Sequence, residues 1–110
     1  MIIAGIAMMV GGTVLVALGA FARAGKLTRQ SVLGLRTKET LASDEAWKAA
    51  HEAAANWVAG AGAVLFAGGV VVTLTDSEST GDVVALIATG LMLVPLIIAF
   101  RLGQAAARSI

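Results

Sequence analysis

Three stretches of this chain contain no Asp, Glu, Lys or Arg: residues 1–22, 53–75 and 83–100. They are 22, 23 and 18 residues long, and those lengths decide the fold class. At about 1.5 Å of helical rise per residue, each is about what is needed to cross ~30 Å of hydrocarbon. A helix on the surface of a soluble domain alternates its apolar stripe with charge, and none of these does. Overall composition agrees. Apolar residues make up 58% of the chain and charged residues 14%, whereas soluble domains carry about a quarter charged residues. The expectation is an all-α, three-transmembrane-helix membrane protein forming a single domain. Its spans are expected near residues 2–22, 53–75 and 83–101.

The first stretch differs from a secretory signal. No basic residue precedes it, its apolar run exceeds the ~7–15 residues of an h-region, and Arg23, Lys26 and Arg29 follow it. It reads as a retained span. Orientation follows from the placement of Lys and Arg. Residues 23–52 hold six of them (Arg23, Lys26, Arg29, Arg36, Lys38 and Lys48), and Arg101 and Arg108 lie in the tail. The connection at 76–82 holds only the acidic Asp76, Glu78 and Asp82. Positive-inside reasoning places the loop 23–43 and the C-terminus in the cytoplasm, and the N-terminus and the acidic turn 76–82 outside. The localisation expected is a cell membrane crossed several times.

With no cysteine there is no disulfide framework and no thiolate chemistry. A net charge of +1 and the absence of a basic face give no reason to expect nucleic acid as a partner. No nucleophile–base–orienter set and no phosphate-cradling loop is visible, so no catalytic residues, no metal and no cofactor are expected.

Local signals refine the helices. Ala7, Gly11 and Gly19 in the first span, and Ala59, Ala63 and Ala67 in the second, are small residues at helical spacing. Gly60, Gly62, Gly68 and Gly69 flank the second set. Such residues let helix backbones approach closely where lipid removes the hydrophobic contrast. Ser43 is a good N-cap, and Asp44 and Glu45 behind it oppose the helix dipole. A helix from Asp44 to about Thr75 is ~48 Å long at ~1.5 Å per residue. The second helix therefore extends into the cytoplasm over residues 44–52, with Trp47 at the membrane interface. Residues 75–82 read as a tight polar turn. Pro95 removes a backbone hydrogen bond from the third helix and predicts a kink.

The polar residues that could carry function lie between Ser31 and Asn56. Gly34 marks a turn or a close approach. Arg36 is a fork for a phosphate or a carboxylate beside a membrane rich in anionic lipid. Trp47 and His51, four apart, share a helix face. Lys48, Glu52 and Asn56 form a second stripe, whose first pair reads as a solvated ion pair and whose Asn56 needs a partner helix. His51 is a poor metal site by itself, but its ordinary pKa makes it a chemically competent proton carrier.

The string Gly34-Leu35-Arg36-Thr37-Lys38-Glu39-Thr40-Leu41-Ala42-Ser43-Asp44-Glu45-Ala46-Trp47-Lys48-Ala49-Ala50-His51 resembles the signature of the SdpI family of bacterial membrane proteins. Gly34, Arg36, Thr37, Thr40, Leu41, Ser43, Glu45, Trp47, Lys48 and His51 stand at matching offsets. Gln30 stands where the family often has Asn, and residues 52–55 lack its frequent glycine. The resemblance implies a short form without the N-terminal membrane region of longer members. It also implies a non-enzymatic role in immunity to a membrane-active peptide toxin, with a signalling role through a cytoplasmic regulator. Expected partners are membrane lipids, a peptide toxin, a regulator or membrane protein partner, and further copies of the chain. Two other classes fit the residues. One is a small structural or regulatory subunit of a larger membrane complex, bound through the Gly/Ala ridges. The other is a proton or ion path through an oligomer, lined by His51, Glu52 and Asn56.

Overall fold

A computed structural model describes residues 2–25 and 36–109 of the chain. These form three helices: α1 (Ile2–Arg23), α2 (Asp44–Leu74) and α3 (Glu78–Arg108). A single 3₁₀ turn, Thr40–Ala42, leads into α2. All three helices are long and apolar enough to cross a membrane. The molecule is an elongated bundle of 50 × 20 × 18 Å, in which α2 packs against α1 on one side and α3 on the other.

The start of α2 shows how local sequence sets the architecture. Ser43 is extended, its Oγ accepts from the Ala46 N–H at 3.0 Å, and Asp44 and Glu45 occupy the first turn. The start predicted at Asp44 is the one observed. The polar connection between α2 and α3 is shorter than the sequence predicts. α3 starts at Glu78, so most of the 75–82 turn is helix. The cause is a second cap: the Ser77 Oγ accepts from the Thr80 N–H at 3.3 Å, and Glu78 meets the positive end of the dipole. Pro95 lies well inside α3, which runs through it as one helix. At the other end of α1, Gly25 adopts φ +73°, the left-handed residue that commonly stops a helix.

Small residues do bring α1 and α2 together, along a seam that takes in Gly19, Ala59, Gly62 and Gly69 of the predicted sets but not Ala7, Ala63 or Ala67. The contact seam is Gly5, Gly12 and Gly19 on α1 against Gly69, Gly62 and Ala55 on α2, each set spaced by seven. The residue numbers of opposed pairs add to 74 each time, which fixes the antiparallel register. A Cβ built on Gly12 would sit 2.6 Å from the Gly62 carbonyl oxygen, and one on Gly62 would sit 2.5 Å from that of Gly12. The backbones therefore touch without intervening side chains. A repeat of seven keeps such a seam facing its partner along the helix. Ala7, Ala63 and Ala67 are exposed instead, and Gly11 faces Leu65 at the seam's margin. On the other side, Gly68 of α2 meets Ala88 of α3, and Ala46 and Ala50 pack with Ala107.

The outer faces are as apolar as the inner ones are small. Ile3, Ile6, Val10, Leu86, Leu91 and Ile97 are all exposed. Exposed apolar surface on this scale fits hydrocarbon as solvent rather than water. Two hydroxyls within the spans are satisfied locally: Thr13 and Thr73 donate at 2.8 Å to the carbonyls of Met9 and Gly69, one turn back.

Candidate functional site

The antiparallel packing gathers charge at the two ends of the bundle. Arg23, Arg36, Lys38, Lys48, Arg101 and Arg108 lie at the end where α1 finishes, α2 starts and α3 finishes. Asp76, Glu78 and Asp82 lie at the other. The basic end holds a built polar site.

Its base is the segment before α2. Thr37 and Thr40 bond reciprocally. The Thr37 N–H donates to the Thr40 Oγ at 2.9 Å, and that hydroxyl donates to the Thr37 carbonyl at 3.1 Å. The Thr40 N–H donates to the Thr37 Oγ at 3.3 Å, and the Leu41 N–H donates to the Thr37 carbonyl at 2.9 Å. Two threonines three apart thus close a tight turn, and Thr40 is fully buried in it. α3 clamps the turn through Gln104, which is only 8% exposed. The Gln104 Oε1 accepts from the Thr37 hydroxyl, and its Nε2 donates to the Glu39 carboxylate at 3.1 Å. That bond, with help from the positive charge of Arg108, holds the Glu39 pKa below its ordinary 4.5.

Beside this clasp stands an aromatic stack. Trp47 and His51, one turn apart on α2, have ring centroids 4.1 Å apart at 30°. The Arg36 guanidinium carbon lies 5.9 Å from the Trp47 ring centroid, within cation–π range. Trp47, placed from sequence at the level of the membrane interface, is 2% exposed and packed within the bundle. Its ring is enclosed by Arg36, His51 and the neighbouring elements. Trp57, one-third of α2 further on, is the exposed tryptophan.

His51 is 5% exposed, with its Nδ1 2.7 Å from the Trp47 carbonyl oxygen. Only a protonated Nδ1 can donate to that oxygen, which fixes the tautomer of the neutral ring. Burial lowers its pKa from the ordinary 6.5, partly offset by the bond to Trp47. The unfolded chain therefore binds this proton more readily than the folded one. Stability from neutral His51 is complete above pH ~6.5 and declines as pH falls below it. Denaturation midpoints in mild detergent should drop between pH 7 and pH 5, and His51→Gln should abolish that drop. The loss from Glu39 belongs to a lower window, below pH ~4.5, because its carboxylate must protonate.

The second stripe predicted on α2 divides. The Asn56 Oδ1 accepts from the Arg23 Nη1 of α1 at 2.8 Å. Lys48 reaches toward the end of α1, its Cε 3.7 Å from the position of a Gly25 Cβ. A cation is favoured there by the helix dipole. Glu52 is exposed. Gly34 lies outside the described residues. Among the described residues, no group of three or more His, Asp or Glu is placed to hold a metal ion.

Sequence reasoning missed Gln104 and Glu39. The signal for Gln104 was a lone amide in the last turns of an apolar helix, where an uncharged polar group generally seeks an interhelical partner. Glu39 sat in a string read for its neighbours.

The string that builds this turn and stack also carries the relationship. The model of the SdpI/YfhL protein family matches residues 26–100. The chain belongs to that family. The match takes in the clasp turn, all of α2 and most of α3, and stops short of Arg101, Gln104 and Arg108. A search of curated proteins and a search of solved structures each return no match. This SdpI-family chain is thus a multi-pass membrane protein by its helices and by its kinship.

Proposed function

We propose that this protein is a non-enzymatic SdpI-type protection protein of the bacterial cytoplasmic membrane, acting against a membrane-active peptide toxin. The observation that supports this is where the family-signature residues go. Arg36, Thr37, Thr40, Trp47 and His51 converge on a packed stack and a closed hydrogen-bonded turn. Such an arrangement fixes the segment before α2, α2 and α3 against one another, which suits a binding protein. The basic end faces the cytoplasm by the positive-inside rule. The toxin meets the lipid-facing helices and the short acidic connection on the opposite side. Lys38 and Glu45, exposed around the clasp, offer a cytoplasmic regulator a surface that reports on the helix arrangement.

The test is survival of a sensitive bacterium expressing the chain, challenged with a panel of membrane-active peptides. At least a tenfold gain in survival against one of them is expected. Arg36→Ala and His51→Ala should return survival to the vector level at equal membrane abundance. Unchanged sensitivity across the panel would overturn the reading. A stoichiometric membrane protein crosslinked to the chain without toxin would favour the subunit role instead.

A further inference from the structure

α3 carries a feature that the clasp shares only at Gln104. Its outer face forms an open concavity of about 710 Å³ lined by Leu96, Ile97, Phe100, Arg101, Gln104 and Arg108. These positions recur at helical spacing, so they share one side of the helix. The buried Ala88, Ala99, Gly103 and Ala107 mark the side turned toward the bundle, and Gln104, also buried, forms the inner margin of the concavity.

Polarity changes abruptly along this face. Leu96, Ile97 and Phe100 belong to the charge-free stretch, and Arg101 is the first residue beyond it. Arg108 follows seven residues later, ~10.5 Å along the axis at ~1.5 Å per residue, and points nearly the same way. The two arginines are not equivalent. Arg108 already acts on the Glu39 carboxylate, whereas Arg101 has no partner among the described residues. Arg101 therefore places an uncompensated guanidinium at the hydrocarbon edge, directly above an apolar floor. Guanidinium groups take phosphate oxygens in a two-pronged fashion, and basic pockets on transmembrane helices suit acidic headgroups.

We propose that this face of α3 binds an anionic phospholipid, with its phosphate on Arg101 and an acyl chain along Phe100, Ile97 and Leu96. Charge selects this occupant over a second copy of the chain. A two-fold contact across the face would oppose Arg101 and Arg108 to their own equivalents, and like charges in a contact are costly. The assignment does not depend on toxin protection.

The test uses the full chain in mild detergent, offered equal phosphatidylglycerol and phosphatidylcholine, with retained lipid read by native mass spectrometry. The wild type should retain phosphatidylglycerol at least tenfold over phosphatidylcholine. Arg101→Gln should cut that preference at least fivefold, Arg108→Gln about twofold, and Lys38→Gln should leave it unchanged. The cysteine-free chain permits a second readout that leaves both arginines intact. A fluorophore on Ile97→Cys should be quenched more strongly by brominated phosphatidylglycerol than by brominated phosphatidylcholine. Equal retention of the two lipids by the wild type, or an unchanged preference in Arg101→Gln, overturns the proposal. So does disulfide-linked dimer formation by Ile97→Cys, which would make the face a contact between copies.

Discussion

Gly62→Leu should separate α1 from α2 while leaving both helices in the membrane. The new Cβ alone would stand 2.5 Å from the Gly12 carbonyl oxygen, 2.7 Å from the Val16 nitrogen and 2.8 Å from the Leu15 Cβ. Two of these three neighbours are backbone atoms and cannot rotate away. Restoring an ordinary 3.4 Å contact moves the helices apart by about 0.9 Å at that level. The rest of the side chain then adds to the gap. Gly5–Gly69 and Gly19–Ala55 lie one heptad away on either side and are equally close, so tilting to relieve the centre opens one of them. Association of these helices rests on close packing rather than on a hydrophobic contrast, which makes lost contact expensive. A cost of about 3 kcal/mol, the upper end of ordinary overpacking, is expected. Gly60→Ala supplies the control. Nothing lies within 4 Å of its Cβ position, and α2 is a regular helix there. That change should be neutral or stabilise by about 0.5–1 kcal/mol through helix propensity. Dodecyl sulfate titration of both variants, followed by circular dichroism and tryptophan fluorescence, separates them. Equal midpoints for the two variants would remove the seam as the source of α1–α2 affinity.

The same seam shows what a single sequence can convey. The spans were legible because the absence of charge over 18 residues or more has few physical causes. The α2 start was legible because Ser43 and the two acids after it satisfy requirements local to one turn. The register of α1 on α2 was not. Small residues in α1 occur at spacings of four and of seven, and a spacing alone does not say which set faces a partner. The set 5, 12, 19 becomes distinctive only beside 69, 62, 55, that is, once two helices are aligned antiparallel. The site divides along the same line. Trp47 and His51 were joined by helix geometry over four residues. Gln104 meets Thr37 across 67 positions, and no local pattern announces such a contact. The burial of Trp47 was hidden for a related reason. A tryptophan near a span end is usually interfacial, but this one is covered by groups that include Arg36, eleven residues earlier in the chain.

Trp47 therefore carries the second large effect. It is the largest fully buried side chain among the described residues, in a core otherwise made mostly of alanine and glycine. Small neighbours have no side-chain length with which to fill a void. Trp47→Ala should cost about 3–5 kcal/mol, the usual range for losing a buried aromatic. Two further losses follow from the geometry: Arg36 loses the ring it lies over, and His51 loses the ring stacked against it at 4.1 Å. The second loss has a signature that a general loosening does not predict. His51 is held below its ordinary pKa of 6.5 mainly by burial. Admitting water beside it should raise the pKa toward 6.5, and the decline in stability between pH 7 and pH 5 should flatten. Trp47→Phe keeps a ring in place, so it should cost less and preserve most of that pH dependence. Proton NMR of the His51 ring in detergent reports the pKa directly, and sulfate titration at pH 7 and pH 5 reports its consequence. If Trp47→Ala loses stability while the His51 pKa stays where it is, then the alanine-rich walls of α2 and α3 bury the imidazole. In that case the stack is a neighbour of His51 and not its shield.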